Sequence, residues 1–199
     1  MAGERKRSYD PVALRGRILD VAAAAFQAHG YHATSTHDIM RKAGVTGGAF
    51  HHHFPSKKSL GLAVVRERVA PEVEQTWIAP VRTAKTALKG VLDVFEDIAT
   101  SLDAQGKVFG CPLNNLTIEL SLADPEFQRA VGEVFDGWRK AIADKARTDK
   151  AGAPNADGIG ALVVAAYSGA MAMAKAEQSA EPLRLCASQL ATLLRAMRP

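Results

Sequence analysis

A pair of short helical segments joined through one glycine, at residues 35–54, limits the fold of this chain more than any other feature. The first segment, STHDIMRKAG, begins with hydroxyl side chains that cap helices and ends at Gly44, and the second starts at another hydroxyl cap, Thr46. A longer segment before them opens with Asp10 and a proline and closes at Gly30. Three helices in this order predict a helix-turn-helix unit, whose second short helix enters the DNA major groove.

The rest of the chain also has a helical pattern, with almost no strand signal. A longer helix capped by Ser56 follows the unit, and Pro71 is expected to bend or end it. Further helices are predicted at 81–104, 112–122, 125–150, 156–177 and 181–198. The predicted fold is therefore all-α, with a three-helix helix-turn-helix domain at residues 1–60 and a larger helical domain at residues 61–199.

The positive charge of the chain is concentrated in the predicted helix-turn-helix domain. Residues 1–60 contain nine lysines and arginines against four acids, whereas residues 61–199 are close to neutral and the whole chain carries +4. All six histidines also lie in the first 60 residues. A cationic domain on a neutral body is typical of a protein that binds a polyanion such as double-stranded DNA. A chance excess of basic residues is the alternative.

Residues 17–60 resemble the DNA-binding domain of the TetR family of transcriptional regulators. The matching elements are ILDVA, Phe26, GY at 30–31, TS at 34–35, DI at 38–39, AGVT at 43–46, Gly48, HF at 53–54 and SK at 56–57. The resemblance implies a ligand-responsive regulator, most often a repressor, that binds a pseudo-palindromic operator as a dimer and is released by a small-molecule effector. It also implies that residues 61–199 form a helical effector-binding and dimerisation domain.

The resemblance also indicates which side chains face DNA. Base readout is expected from the Thr46 hydroxyl, from Ala49 against a thymine methyl group, and from His51 or His52. Lys57 resembles the family's phosphate-contacting lysine, with a solvated surface lysine as the alternative. The chain departs from the family pattern at Gly47, where a long polar residue is common, and at His51, where tyrosine is common. The predicted DNA-binding residues are Thr36, Thr46, Gly47, Gly48, Ala49, His51, His52 and Lys57.

Three consecutive histidines, at 51–53, raise the question of a metal site. Successive helix positions are about 100° apart, so three adjacent rings cannot converge on one ion. No carboxylate or cysteine lies four residues from any of them, and no HExxH motif is present. We therefore predict no metal and no cofactor. His51 and His52 are expected to face DNA, and His53 is expected to be structural.

Two features of the last two predicted helices favour a homodimer. Leu183, Cys186, Leu190, Leu193 and Met197 recur at alternating spacings of three and four, which is an apolar seam suited to helix packing. In the helix before it, small residues recur every four positions, at 161, 165 and 169 and, offset, at 166, 170 and 174. An internal core with no partner chain is the alternative.

Aromatic and amide side chains of the larger domain are candidates for an effector site. Such a set suits a small, mainly apolar molecule, although each residue alone is also typical of ordinary core. The candidates are Phe95, Phe109, Cys111, Asn114, Asn115, Phe135, Trp138, Tyr167 and Met171.

Cys111 has a second interpretation. It precedes Pro112 at the predicted start of a helix, where the helix dipole lowers a thiol pKa. This position predicts a regulator that senses electrophiles or oxidants, with a small buried residue as the alternative.

Other functional classes fit the sequence less well. An enzyme using Cys111 or Ser121 as nucleophile needs a base, and residues 61–199 contain no histidine. A DNA-binding protein without a ligand is a further alternative. The charged N-terminus has no apolar signal segment behind it, and the uncharged run at 158–174 is shorter than a typical spanning helix. We therefore expect a cytoplasmic protein that does not enter a membrane.

Overall fold

The computed structural model describes residues 10–149 and 155–196. Within these ranges the chain forms nine helices and no strand, so the predicted all-α fold is confirmed. The helices are α1 (Pro11–His29), α2 (Thr36–Ala43), α3 (Gly47–His53), α4 (57–83), α5 (Ala87–Gln105), α6 (Pro112–Leu120), α7 (Pro125–Thr148), α8 (Ala156–Glu177) and α9 (Glu181–Ala196).

Helices α1, α2 and α3 form the head, and their ends are set by local side-chain caps. The Asp10 carboxylate accepts from two amides of the first turn of α1, and the hydroxyls of Ser35 and Thr46 accept from the third residue of α2 and α3. Gly44 ends α2 in the left-handed conformation, with a φ of 63°. The side-chain caps therefore form as predicted. Apolar side chains of these segments form the core of the head: Ile18, Leu19, Ala22, Phe26, Ile39, Phe50 and Phe54.

Helix α4 runs without interruption from the head into the larger domain, the body. Of the two outcomes predicted at Pro71, an end of the helix is wrong, because helical residues continue to Thr83. Wider π-helical turns at Val65–Val69 and Glu74–Ile78 precede Pro71 and Pro80. Proline has no N–H group to donate. The π-helical turns keep the helix bonded around it, because their amides donate to the carbonyl five residues earlier, as Ala70 does to Val65. The predicted domain boundary at residues 60 and 61 therefore lies inside a continuous helix.

Helices α5 to α9 complete the body around a cluster of aromatic rings. Trp77 of α4 lies with its ring centroid 5.0 Å from Trp138 of α7 and 4.8 Å from Tyr167 of α8. Phe95 of α5 lies 5.5 Å from Trp77. Aromatic pairs at these distances add to the free energy gained by burial alone, so this cluster fixes α4 against α5, α7 and α8.

Helix α8 is the most apolar helix of the described ranges. By length and composition alone it is sufficient to cross a membrane, with a mean hydropathy of 1.5 in its most apolar window. In the structure it packs against α7 and α9 within the helical bundle. Its composition therefore suits a helix that is covered by other helices.

Candidate DNA-binding surface and effector cavity

Helix α3 presents an exposed face made of small and polar residues. Thr46, Gly47, Gly48, His51 and His52 are all exposed. Ala49 is half-buried, and the buried rings on the opposite side hold the helix in the head core. The predicted DNA-binding residues of α3 therefore lie on one accessible surface.

The two glycines of α3 leave space outside the helix. A methyl group built at Gly48 meets no atom within 4 Å, and one built at Gly47 meets only the Met40 sulfur at 4.0 Å. Neither has a positive φ, so the backbone does not require glycine at either position. The Thr46 hydroxyl accepts from the Ala49 amide at 3.3 Å, which leaves its own O–H group available as a donor.

The three histidines do not form a cluster of ligands. His51 lies edge-on to the ring of Phe50, with centroids 5.3 Å apart. His53 is half-buried, and its Nε2 atom is buried without a hydrogen-bond partner among the described residues. In the part of the chain that the structure describes, no group of three metal-ligating side chains comes together.

Thr36 and Lys57 occupy the first positions of α2 and α4. Thr36 is half-buried and follows the Ser35 cap. The Lys57 ammonium lies 4.5 Å from the centroid of the Tyr31 ring and donates to the His32 carbonyl at 3.3 Å. Burial lowers the pKa of Lys57, and the charge of Glu119 opposes that effect. Lys57 is therefore held against the end of the head in the absence of DNA.

Part of the positive charge of the head is used in contacts with the body. Arg15 of α1 pairs with Glu67 of α4 through two bonds of 2.5 and 2.6 Å. Lys58 pairs with Asp124 and Glu126 near the start of α7. Some of the basic residues counted in the sequence therefore form ion pairs that orient the head on the body.

Two adjoining cavities lie between α4 and α6, and the larger one extends to α1 of the head. The large cavity has a volume of about 430 Å³ and is bordered by α1, α4, α5, α6 and α8. The small cavity, of about 30 Å³, lies next to the aromatic cluster. Both are bordered by Val69, Glu72, Thr76, Pro112 and Tyr167. The large cavity has the size of a small-molecule site, and one of its walls belongs to the head.

Five of the nine residues predicted to line an effector site border these cavities. They are Phe109 and Met171 at the large cavity, Cys111 and Trp138 at the small one, and Tyr167 at both. The Nε1 atom of Trp138 is buried and has no hydrogen-bond partner in the described ranges.

The other four predicted residues lie outside both linings. Phe95 packs inside the aromatic cluster, and Phe135 stacks on Trp138 with ring centroids 6.3 Å apart. The side-chain oxygen of Asn114 accepts from the Ser168 hydroxyl at 3.2 Å. Asn115 bonds to the head instead. Their residue types suit a binding site, but in the structure Phe95, Phe135 and Asn114 pack within the body, and Asn115 contacts Gln27 of the head.

Sequence reasoning missed several polar residues of the large cavity: Gln27, Arg68, Glu72, Thr76, Ser101 and Gln105. Gln27 belongs to the head, and the sequence alone does not indicate that α1 borders the cavity. Glu72 lies among Val69, Val73 and Trp77 on α4. Glu72 could have been identified as a candidate from the sequence, because it is an acid within the apolar face of a helix.

Helix α6 holds the end of α1 through two sets of polar contacts, which we call the α6 clamp. The Glu119 carboxylate accepts from the amides of Tyr31 and His32, both at 3.0 Å. At the other end of α6, Gln27 donates to the Gly110 carbonyl at 2.5 Å, and Asn115 donates to the Gln27 side-chain oxygen at 3.1 Å. Since Gln27 and Gly110 also border the large cavity, the clamp and the cavity share a wall.

Cys111 caps α6 as predicted, but the predicted lowering of its pKa is wrong. The residue is only 6% exposed, and burial raises the pKa of the thiol to about 11. The amides of Asn114 and Leu113 oppose this effect only in part. Burial in low dielectric therefore outweighs the helix dipole, and the structure offers no support for a reactive thiolate.

This burial predicts slow alkylation of Cys111. In the folded protein at neutral pH we expect iodoacetamide to modify it about 100-fold more slowly than in urea, because the thiolate is scarce and shielded. Peptide mapping by mass spectrometry measures the two rates, and a Cys186→Ala variant removes the second thiol. Equal rates in folded and unfolded protein would restore the sensor hypothesis.

The predicted apolar seam of α9 lies mainly inside the chain. Leu183 and Leu190 are fully buried, Cys186 is half-buried, and Leu193 is 53% exposed, while Met197 lies outside the described residues. The apolar residues that recur every three or four positions in α9 therefore pack mainly against other helices of the same chain. Other apolar residues of α8 and α9 are exposed, and we call this set the α8–α9 face: Ala161, Leu162, Ala165, Gly169, Met173, Leu185 and Leu193.

Comparisons with known proteins agree with this architecture. Residues 18–64 match the family described as bacterial regulatory proteins, tetR family, and residues 87–189 match the transcriptional regulator LmrA/YxaF-like C-terminal domain. The chain is 25% identical over 182 residues to the uncharacterized HTH-type transcriptional regulator YxaF of Bacillus subtilis, covering 91% of this chain and 95% of that protein. It is 22% identical over 182 residues to the HTH-type transcriptional regulator LmrA of the same species, covering 91% and 96%.

A solved structure extends the likeness to three dimensions. The crystal structure of a TetR transcriptional regulator from Chloroflexus aurantiacus J-10-FL shares 30% sequence identity and a TM-score of 0.81, covering 93% of this chain and 96% of that one. These relatives are transcriptional regulators, not enzymes. The head, its exposed recognition helix and the helical body together show that the chain belongs to the TetR family of bacterial transcriptional regulators.

Proposed function

We propose that this chain is a one-component repressor that binds a pseudo-palindromic operator as a dimer and is released by a small-molecule effector. The observation that supports the effector most strongly is the large cavity, because the α1 wall belongs to the head and the α6 wall belongs to the body. A ligand in that cavity contacts both sides of the junction. As a DNA-binding regulator, the protein acts in the cytoplasm.

The exposed surface of α3 supports a role in DNA binding. In this proposal α3 lies in the major groove, with the Thr46 hydroxyl, Ala49, His51 and His52 facing base edges. Gly47 and Gly48 allow the backbone to approach the DNA closely. The amides at the start of α2, beginning with Thr36, and the ammonium of Lys57 contact phosphates and set the register.

The α6 clamp provides a route from the cavity to the head. A ligand changes the operator affinity only by the difference between its binding free energies in the two head positions. Movement of α6 by a ligand strains the bond from Gln27 to Gly110 and the contacts of Glu119. The head then turns relative to its partner copy, and the spacing of the two recognition helices no longer matches the operator.

Footprinting tests both parts of the proposal. On DNA upstream of its own gene, the dimer is expected to protect two half-sites about 10 base pairs apart, or a multiple of that spacing. A library of small molecules is then screened for loss of the footprint. Protection that no compound reverses would favour a DNA-binding protein without a ligand, and absence of any footprint would contradict the repressor.

The α8–α9 face supports the homodimer, and Gly169 lies within it. A methyl group built at Gly169 meets nothing within 4 Å, so Gly169→Glu fits the isolated chain but places a charge in the proposed interface. We expect the dimer dissociation constant to rise by about tenfold or more, measured by analytical ultracentrifugation. Gly137→Glu, at an equally open glycine of α7, is the matched control. Equal dimer stability in both variants would exclude this face.

A further inference from the structure

Glu72 occupies an unusual position for a carboxylate. Among the described residues that border the large and small cavities it is the only acid, and it borders both of them. Its carboxylate forms no ion pair or hydrogen bond with another described residue. Glu72 is exposed, and the protein around it nevertheless raises the pKa of its carboxyl group by partial desolvation. A partly desolvated carboxylate attracts a positive charge more strongly than a carboxylate in bulk water does.

The nearest cation along α4 does not neutralise Glu72. Arg68 also borders the large cavity, but its guanidinium is fully engaged elsewhere. Its Nε atom donates to the Asp20 carboxylate at 2.7 Å. Its two remaining nitrogens donate to the carbonyls of Glu67 and Gly16 at 2.8 and 3.2 Å. The charge of Arg68 therefore serves the contact between α4 and α1, and it is not paired with Glu72.

The aromatic cluster lies beside Glu72. Trp77, Trp138 and Tyr167 all border the small cavity with it, and their ring centroids are 4.8 to 5.4 Å apart. Electron-rich ring faces stabilise a cation, most strongly when water is excluded. Beyond Glu72, apolar side chains including Ile98, Leu102, Leu116 and Met171 border the large cavity. An acid next to aromatic rings, with a mainly apolar cavity adjoining, is a set of groups suited to an organic ammonium ion.

We propose that the effector is an organic cation whose ammonium group pairs with Glu72 beside the aromatic cluster, while its apolar body occupies the large cavity. This inference rests on the proposed function, because it names the ligand class of the same cavity. It also assigns Glu72 as the residue that distinguishes a cation from a neutral molecule of equal shape.

The test compares two probes that differ only in charge: 2-naphthylmethyl-trimethylammonium and its neutral carbon isostere, 2-(2,2-dimethylpropyl)naphthalene. Isothermal titration calorimetry measures the affinity of each probe. The wild-type protein is expected to bind the cation about tenfold or more tightly than the isostere. Glu72→Gln is expected to remove that preference and Glu72→Asp to retain part of it.

Glu74→Gln serves as the matched control, because Glu74 lies on the same helix and pairs with Arg82 away from the cavities. It is expected to keep the wild-type preference, and thermal unfolding verifies that each variant is folded. Equal affinity for both probes, no binding of the cation, or an unchanged preference in Glu72→Gln would overturn the inference. Operator binding is measured in parallel: if it is intact, only the ligand class fails, and if it is absent, the proposed function fails.

Discussion

A Gly48→Glu variant is expected to fold normally and to lose operator binding. The side chain enters open space, because a methyl group at Gly48 meets no atom within 4 Å. In the proposed complex, the same side chain places a carboxylate against phosphates and acceptor groups of the major groove in both copies of the dimer. Like charges at a close interface cost several kcal/mol, so affinity should fall by about 100-fold or more. Fluorescence anisotropy with a labelled operator measures the change.

Two controls separate a loss of DNA contact from a loss of folding. Gly137→Glu adds the same charge at an open glycine of α7 and is expected to bind the operator within about threefold of the wild type, the small change of a distant surface charge. Circular dichroism and thermal unfolding check both variants. Operator binding by Gly48→Glu that equals the control would show that α3 does not enter the groove in the proposed orientation.

Removal of the Glu119 carboxylate is expected to destabilise the junction between the head and the body. Glu119→Ala leaves the amides of Tyr31 and His32 without their acceptor. A lost charged acceptor of this kind costs about 1–3 kcal/mol, so the free energy of unfolding in urea should fall by that amount. Hydrogen exchange should accelerate at those two amides specifically. Glu119→Gln, which keeps one acceptor oxygen, is expected to be intermediate.

Glu126→Ala is the control for the clamp. Glu126 is an exposed acid that pairs with Lys58, and exposed pairs contribute about 1 kcal/mol or less. If Glu119→Ala were no more destabilising than Glu126→Ala, and the exchange of the Tyr31 and His32 amides were unchanged, the α6 clamp would have no energetic role.

The head could be predicted closely because its signals are local. Asp10, Ser35 and Thr46 bond to amides two or three residues away, and Gly44 adopts the conformation that its position requires. Such contacts depend on neighbours in the sequence, so they are visible without a structure. The buried pattern of the head follows from the same helices, since the bounds of a helix determine its apolar face.

The body was predicted less well because its contacts join distant segments. Pro71 does not end α4, since π-helical turns and packing on both sides carry the helix past it. Asn115 reaches Gln27, a contact that no local pattern indicates. The pKa of Cys111 depends on burial by other helices. Likewise, Leu183 and Leu190 have the spacing expected of a dimer interface, but they are buried within one chain.

The most direct test of the account is a binding titration of the purified protein on DNA from upstream of its own gene, with a scrambled fragment of equal composition, at several salt concentrations. The upstream fragment should bind about 10³-fold more tightly. Its affinity should fall by about 10³-fold between about 50 and 200 mM salt, as expected when roughly six phosphates are neutralised. Equal, weak binding to both fragments, or affinity that does not depend on salt, would contradict insertion of α3 into duplex DNA.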